Sequence, residues 1–236
     1  MSNKKPRAAA DQSNSSELLD RAWRGDPGAA HELIRHFQKG YPLERLRELF
    51  RSELPHAVAS AAYIASELGS GATPLIDDFP IALQHAESWG RSAGVDCVFN
   101  CASERDGEVV AMAVSLLSDP SIYTRGVALF RLRYADLRLI RAALPFLKAE
   151  PLGPLLAWFA SDGSHSHTVI VKRLRSLDPL ERRVALASAA RPTGAAVSGN
   201  VRDLQALVLA ASSEDAEIAE HAKSILQTIA EIRRKP

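Results

Sequence analysis

Residues 162–167 include Asp162, Ser164, His165 and His167, the acid, hydroxyl and imidazole types of a hydrolytic set. Such sets are assembled from separated chain segments around a positioned nucleophile, so a run this local reads as a polar loop that opens a helix. His165 and His167 could add phosphate contacts there. Cys97 and Cys101 stand four apart, which puts both thiols on one helix face. A structural zinc site takes four ligands, and the chain holds only these two cysteines, so interior packing is expected for both. His31 and His36 have no accompanying ligand pattern. A Gly-rich phosphate loop, a Walker lysine and a dinucleotide fingerprint are all missing, and neither cofactor nor metal is expected.

Cations are the commoner candidates. The formal net charge of the 236 residues is +1, yet residues 51–119 carry a net −7 and residues 120–191 a net +7. Residues 200–231 turn acidic again. The basic block holds Arg125, Arg131, Arg133, Arg138, Arg141, Lys148, Lys172, Arg173, Arg175, Arg182, Arg183 and Arg191. In a fold that keeps sequence neighbours close in space, such blocks become surface regions of opposite sign. They are either solvated helix faces or a binding surface for an acidic partner. On the second reading the contacts are Arg125, Arg131, Arg133, Lys172, Arg173 and Arg175. Aromatic residues make up 6% of the chain, which argues against stacking platforms for single-stranded nucleic acid.

The elements that position these groups read as helices. Leu43, Leu46, Leu49 and Phe50 recur at helical steps, as do Leu137, Ile140, Leu144 and Leu147, and Ile218, Ala222, Ile225, Leu226 and Ile229. The β-branched run Thr168–Val171 is flanked by the same spacing and is read as helix. Asp26-Pro27, Thr73-Pro74, Asp119-Pro120 and Asp178-Pro179 each offer a capping side chain before a first-turn proline. An aliphatic residue followed by alanine four places on recurs at Val58 and Ala62, Val109 and Ala113, and Ile218 and Ala222. Small residues at that spacing let paired helices approach and stack. The expected fold is all-α: a HEAT-like α-solenoid, a curved array of antiparallel helix pairs. One domain is expected over residues 16–236, with a minor hinge at 192–199 and a disordered polar tail at 1–15. With 46% hydrophobic residues, no run of about 18 apolar residues and a polar first stretch, a membrane span and a secretory leader are not expected. The chain reads as cytoplasmic.

One segment carries a more specific likeness. Ser88-Trp89, Val95-Asp96, the run from Ser118 to Leu129 and the closing Leu132-Arg133-Tyr134 resemble the DNA alkylation-repair glycosylase family of HEAT-like proteins. The resemblance implies a helical solenoid whose basic concave face holds duplex DNA. It implies that Asp96 stabilises positive charge at the sugar during base loss, that Trp89 and Tyr123 stack, and that Arg125 holds a backbone phosphate.

Two functions are therefore expected. The first is a HEAT-like binding protein without catalysis, holding a macromolecular partner, an acidic protein or a nucleic-acid backbone, on a curved and locally basic helical surface. The alternative is an enzyme of the glycosylase type that excises alkylated bases from duplex DNA, with Asp96 as its catalytic carboxylate.

Overall fold

The computed structural model describes residues 6–147, 151–161, 165–193 and 199–234. Regular structure there is helical apart from one isolated antiparallel bridge between Pro192 and Val201. No helix among the described residues is long and apolar enough to cross a membrane. Backbone contacts divide the chain into two compact units, Met1–Ser103 and Glu104–Pro236, where the sequence suggested one domain.

The first unit runs α1 (Pro6–Trp23), α2 (Pro27–Gln38), α3 (Leu43–Phe50), α4 (Pro55–Leu68), α5 (Phe79–Leu83) and α6 (Ser88–Cys101). The expected tail is helical from Pro6 onward, and the buried Ser15 places its hydroxyl 2.7 Å from Nδ1 of His36. Asp26 caps α2 as expected, its carboxylate accepting from the N–H groups of Gly28 and Ala29. Thr73-Pro74 instead lies inside a 3-10 stretch, Gly69–Asp78. There the Thr73 hydroxyl donates to the Ser70 carbonyl, a local bond that competes with capping a new helix. The small side chains Ala57, Ala59, Ser60, Ala61 and Ala62 are buried in α4. They let α1, α2, α3 and α6 close around it. Cys97 and Cys101 pack inward from α6, their thiols donating to the carbonyls of Ala62 and Gly69 at 3.3 and 3.2 Å. Burial pushes the Cys101 thiol up.

The second unit runs α7 (Gly107–Ser115), α8 (Ile122–Tyr134), α9 (Leu137–Ala143), α10 (Leu152–Ala160), α11 (His167–Leu174), α12 (Pro179–Ala190), α13 (Leu204–Ala210) and α14 (Ala216–Arg234). Thr168–Val171 is helical within α11, and Asp178 caps α12 as expected. Asp119-Pro120 sits two residues early. Its carboxylate accepts from Ser121 N–H, and α8 starts only at Ile122. Helix α12 is the hub of this unit. Val184 to Ala190 are all buried, and α8, α10, α11, α13 and α14 pack on it. The stretch read as a hinge is tied at its ends: Thr193 N–H donates to the Asn200 carbonyl and Arg202 N–H to the Arg191 carbonyl. Residues 194–198 lie outside the described residues. Within each unit the chain is thus the all-α array of packed helix pairs expected of a HEAT-like repeat protein.

A repeated device sits at three helix starts. Arg91, Arg125 and Arg182 each occupy the fourth position of a helix, α6, α8 and α12. From each, Nη1 reaches back to two carbonyls in the preceding loop: His85 and Ala86 at 2.8 and 2.7 Å, Asp119 and Pro120 at 2.7 and 3.0 Å, Ser176 and Leu177 at 2.7 and 3.1 Å. Three places on stands a small residue (Gly94, Ala128 or Ala185), followed by a buried Val95, Leu129 or Leu186. The guanidinium can serve several acceptors at once, which suits loop carbonyls that no helix satisfies.

Glu217 on α14 ties two of these helices together. Arg125 of α8 donates to it from Nε and Nη2, and Arg183 of α12 does the same. Burial alone would raise this carboxyl, but the hydrogen bonds and charges of Arg183 and Arg125 hold it down to about 2. A carboxylate with a lowered folded pKa stabilises the fold fully above its unfolded value of 4.5, and that stability is lost as pH falls toward 2. Glu217→Gln is expected to cost about 3 kcal/mol at pH 7 and to flatten the acid limb between pH 4.5 and about 2, read by urea unfolding and by circular dichroism across pH. Gly107 sets a second constraint. A Cβ there would fall 2.2 Å from the Ala142 carbonyl oxygen, so α7 and α9 meet backbone to backbone. Gly107→Ala should lower unfolding stability by about 1–3 kcal/mol, measured in the same denaturation experiment.

Candidate functional site

The basic block is largely consumed within the second unit. Arg125 and Arg183 hold Glu217, Arg182 holds Asp215 at 2.6 Å, and Arg138 holds Asp136 at 2.7 Å. Arg173 pairs with Glu181 and lies over the Trp158 ring at 4.5 Å. Arg141 donates to the Ala160 carbonyl at 3.0 Å. Opposite charges on elements far apart in sequence have paired with each other, so the expected basic surface is reduced to a few side chains. Lys172 and Arg175 are exposed, and neither is in an ion pair among the described residues. Arg131 is half-buried.

The residues singled out by the glycosylase likeness are shared between the two units. Trp89 and Asp96 belong to α6 of the first unit, about two turns apart along that helix. Trp89 is exposed and its Nε1 donates to the Glu87 carboxylate. Tyr123 and Arg125 belong to α8 of the second unit. Arg125 is turned toward Glu217 and toward the loop carbonyls of Asp119 and Pro120.

What α8 does present is an aromatic ridge. Tyr123, Val127, Phe130 and Tyr134 step by four, three and four, which aligns them along one face. Tyr123, Phe130 and Tyr134 are 61, 53 and 43% exposed, and the rings of Phe130 and Tyr134 pack with centroids 5.1 Å apart. The opposite face, Thr124, Ala128, Leu129 and Leu132, is buried on the core. Tyr123 was an expected contact, Tyr134 entered only as part of the glycosylase likeness, and Phe130 was not singled out. The available signal was a helix apolar on two faces when one suffices to pack it.

Behind the ridge lies a cavity of about 70 Å³. Gly126, Leu129, Phe130 and Arg133 of α8 form one wall, Leu186, Ala187 and Ala190 of α12 the floor, and His221, Ser224 and Ile225 of α14 the other wall. Gly126 permits this spacing, because a Cβ there would stand 2.9 Å from Cε1 of His221. Arg133 is only 6% exposed; its Nε donates to the Ala190 carbonyl at 2.7 Å and its guanidinium lies 4.7 Å from the Tyr134 ring centroid. Burial lowers its pKa, and no carboxylate contacts it among the described residues. Burial also lowers His221; the charge of Glu217 pulls it up, and Arg183 and Arg125 push it further down.

Two wider, shallower hollows flank the end of α11. One of about 790 Å³ is lined by His167, Val171, Lys172, Arg175 and Glu181, the other of about 640 Å³ by Arg175, Arg182, Leu209 and Asp215 among others. His167 Nδ1 sits 2.9 Å from the Asp203 carboxylate, and His165 stacks on Trp158 with ring centroids 4.2 Å apart. Asp162 and Ser164 lie outside the described residues. Among the described residues no group of three or more His, Cys, Asp or Glu is placed to hold a metal ion.

No protein-family model matches the chain, and no curated protein matches it. Solved structures with similar backbones include a designed armadillo repeat protein in complex with the peptide (KR)4, at TM-score 0.45 and 17% identity, covering 96% of this chain and 95% of that one. Two engineered proteins from a structural genomics consortium match at TM-scores of 0.44 and 0.45 and 16% identity, covering 98 and 97% of this chain and 94 and 95% of theirs.

Proposed function

We propose that this chain is a non-catalytic binding module that docks a protein partner on the α8 ridge of its second unit. The observation that carries the reading is the line of Tyr123, Phe130 and Tyr134, held outward while the rest of α8 packs inward. A contiguous apolar face left in water marks a contact surface, and tyrosine and phenylalanine are among the side chains enriched at protein interfaces. A nucleic-acid backbone would need several uncommitted cations. Here most arginines of the basic block already serve carboxylates or carbonyls. Base excision gains no support, since Arg125 is already committed to Glu217 and two loop carbonyls.

Selection of random displayed peptides on the full chain tests this. Sequences that bind the wild type should lose about tenfold or more in affinity against Tyr123→Ala and Phe130→Ala. Both positions are exposed, so these variants should keep the wild-type melting temperature within about a degree or two. Peptides indifferent to both substitutions would remove the ridge as the docking surface. In parallel, tight binding to plain duplex DNA that weakens with a log–log salt slope of about 0.9 per phosphate would assign the surface to nucleic acid instead.

A further inference from the structure

Resting on that reading, we infer that the cavity behind the ridge receives an aspartate or glutamate side chain of the docked protein, which pairs with the guanidinium of Arg133.

Arg133 stands apart from the carboxylate-paired arginines of its unit. Arg125, Arg173, Arg182 and Arg183 are all substantially buried, and each has a carboxylate within hydrogen-bonding reach. Arg133 is buried more deeply than a typical charged side chain, yet it has one backbone carbonyl and one aromatic ring as company. A guanidinium keeps its proton in proteins, so burial leaves the cation in place without its counter-charge. Such a group costs free energy until an anion reaches it, and a partner carboxylate would recover that cost on docking. Leu129, Leu186, Ala187 and Ala190 line the same space. Apolar walls lower the local dielectric and strengthen an ion pair formed there.

Size selects among anions. A cavity of about 70 Å³ beside Arg133 is larger than a single water needs and leaves room for a small anionic group such as a carboxylate. Phe130 lines the cavity and is exposed, with Tyr134 packed against its ring, so Phe130 would cover an apolar residue next to the acid and help shut water away from the pair. The recognised segment is therefore an acidic side chain flanked by aliphatic ones.

The probes are two synthetic peptides, N-acetyl-Leu-Glu-Leu-amide and its Gln counterpart, titrated into the isotope-labelled full chain and followed by NMR. The Glu peptide should shift the Arg133 Nε–H signal and the backbone amides of Ala190, His221 and Ser224. The Gln peptide should bind about tenfold more weakly or less well still. Arg133→Met should abolish the preference for Glu; if that variant fails to fold, the comparison of the two peptides on the wild-type chain decides alone. Equal shifts from both peptides, shifts confined to other surfaces, or none into the millimolar range overturn the inference. Failure here and failure of the docking reading are separable. Selected peptides that need Phe130 but show no acidic residue keep the ridge and reject Arg133, whereas peptides indifferent to the ridge reject both.

Discussion

Arginine bound to otherwise unpaired oxygen is the interaction on which this structure depends. An all-helical chain generates many helix ends, and each end leaves backbone carbonyls without intrahelical partners. Here guanidinium groups supply the missing donors: Arg91, Arg125 and Arg182 on the loops before their own helices, Arg133 and Arg141 on the last carbonyls of α12 and α10. Each unit also clamps one carboxylate between two arginines. In the first unit Asp78, 1% exposed, takes Arg47 and Arg51 at 2.8 and 3.0 Å. In the second, Glu217 takes Arg125 and Arg183. Removing one member of such a set leaves a charge stranded, which is why these sites matter more than exposed pairs such as Arg45 and Glu48.

This explains how far the sequence could be read. Periodicity and capping chemistry are local, so the helices, the caps at Asp26 and Asp178 and the inward packing of Cys97 and Cys101 were legible. Thr73-Pro74 and Asp119-Pro120 misled because the same side chains close tight turns as readily as they cap helices. Block charge was correct as arithmetic and misleading as geography. A count along the chain cannot tell a cation facing water from one facing a carboxylate 92 residues away, as Arg125 faces Glu217.

The candidate surface shows the complementary limit. Tyr123 and Tyr134 were noticed through a resemblance, whereas Phe130 fell between the stretches that carry it. Only the placement of α12 and α14 on one side of α8 shows which apolar stripe is spent on the interior and which is left over. Arg133 was grouped with the surface cations for the same reason. Its spacing from Arg131 alternates faces, and the two end in different environments, one half-buried and one deeply buried.

The central position of α12 has a consequence for motion. Five helices lean on a rod of small side chains with no face of its own toward water from Val184 to Ala190. None of those neighbours can swing away without uncovering it, so the backbone amides of α12 can meet solvent only through an opening of the whole unit. Hydrogen exchange in this helix therefore reports the global opening of the second unit, whereas the exposed end of α14 exchanges through fraying of its own last turn.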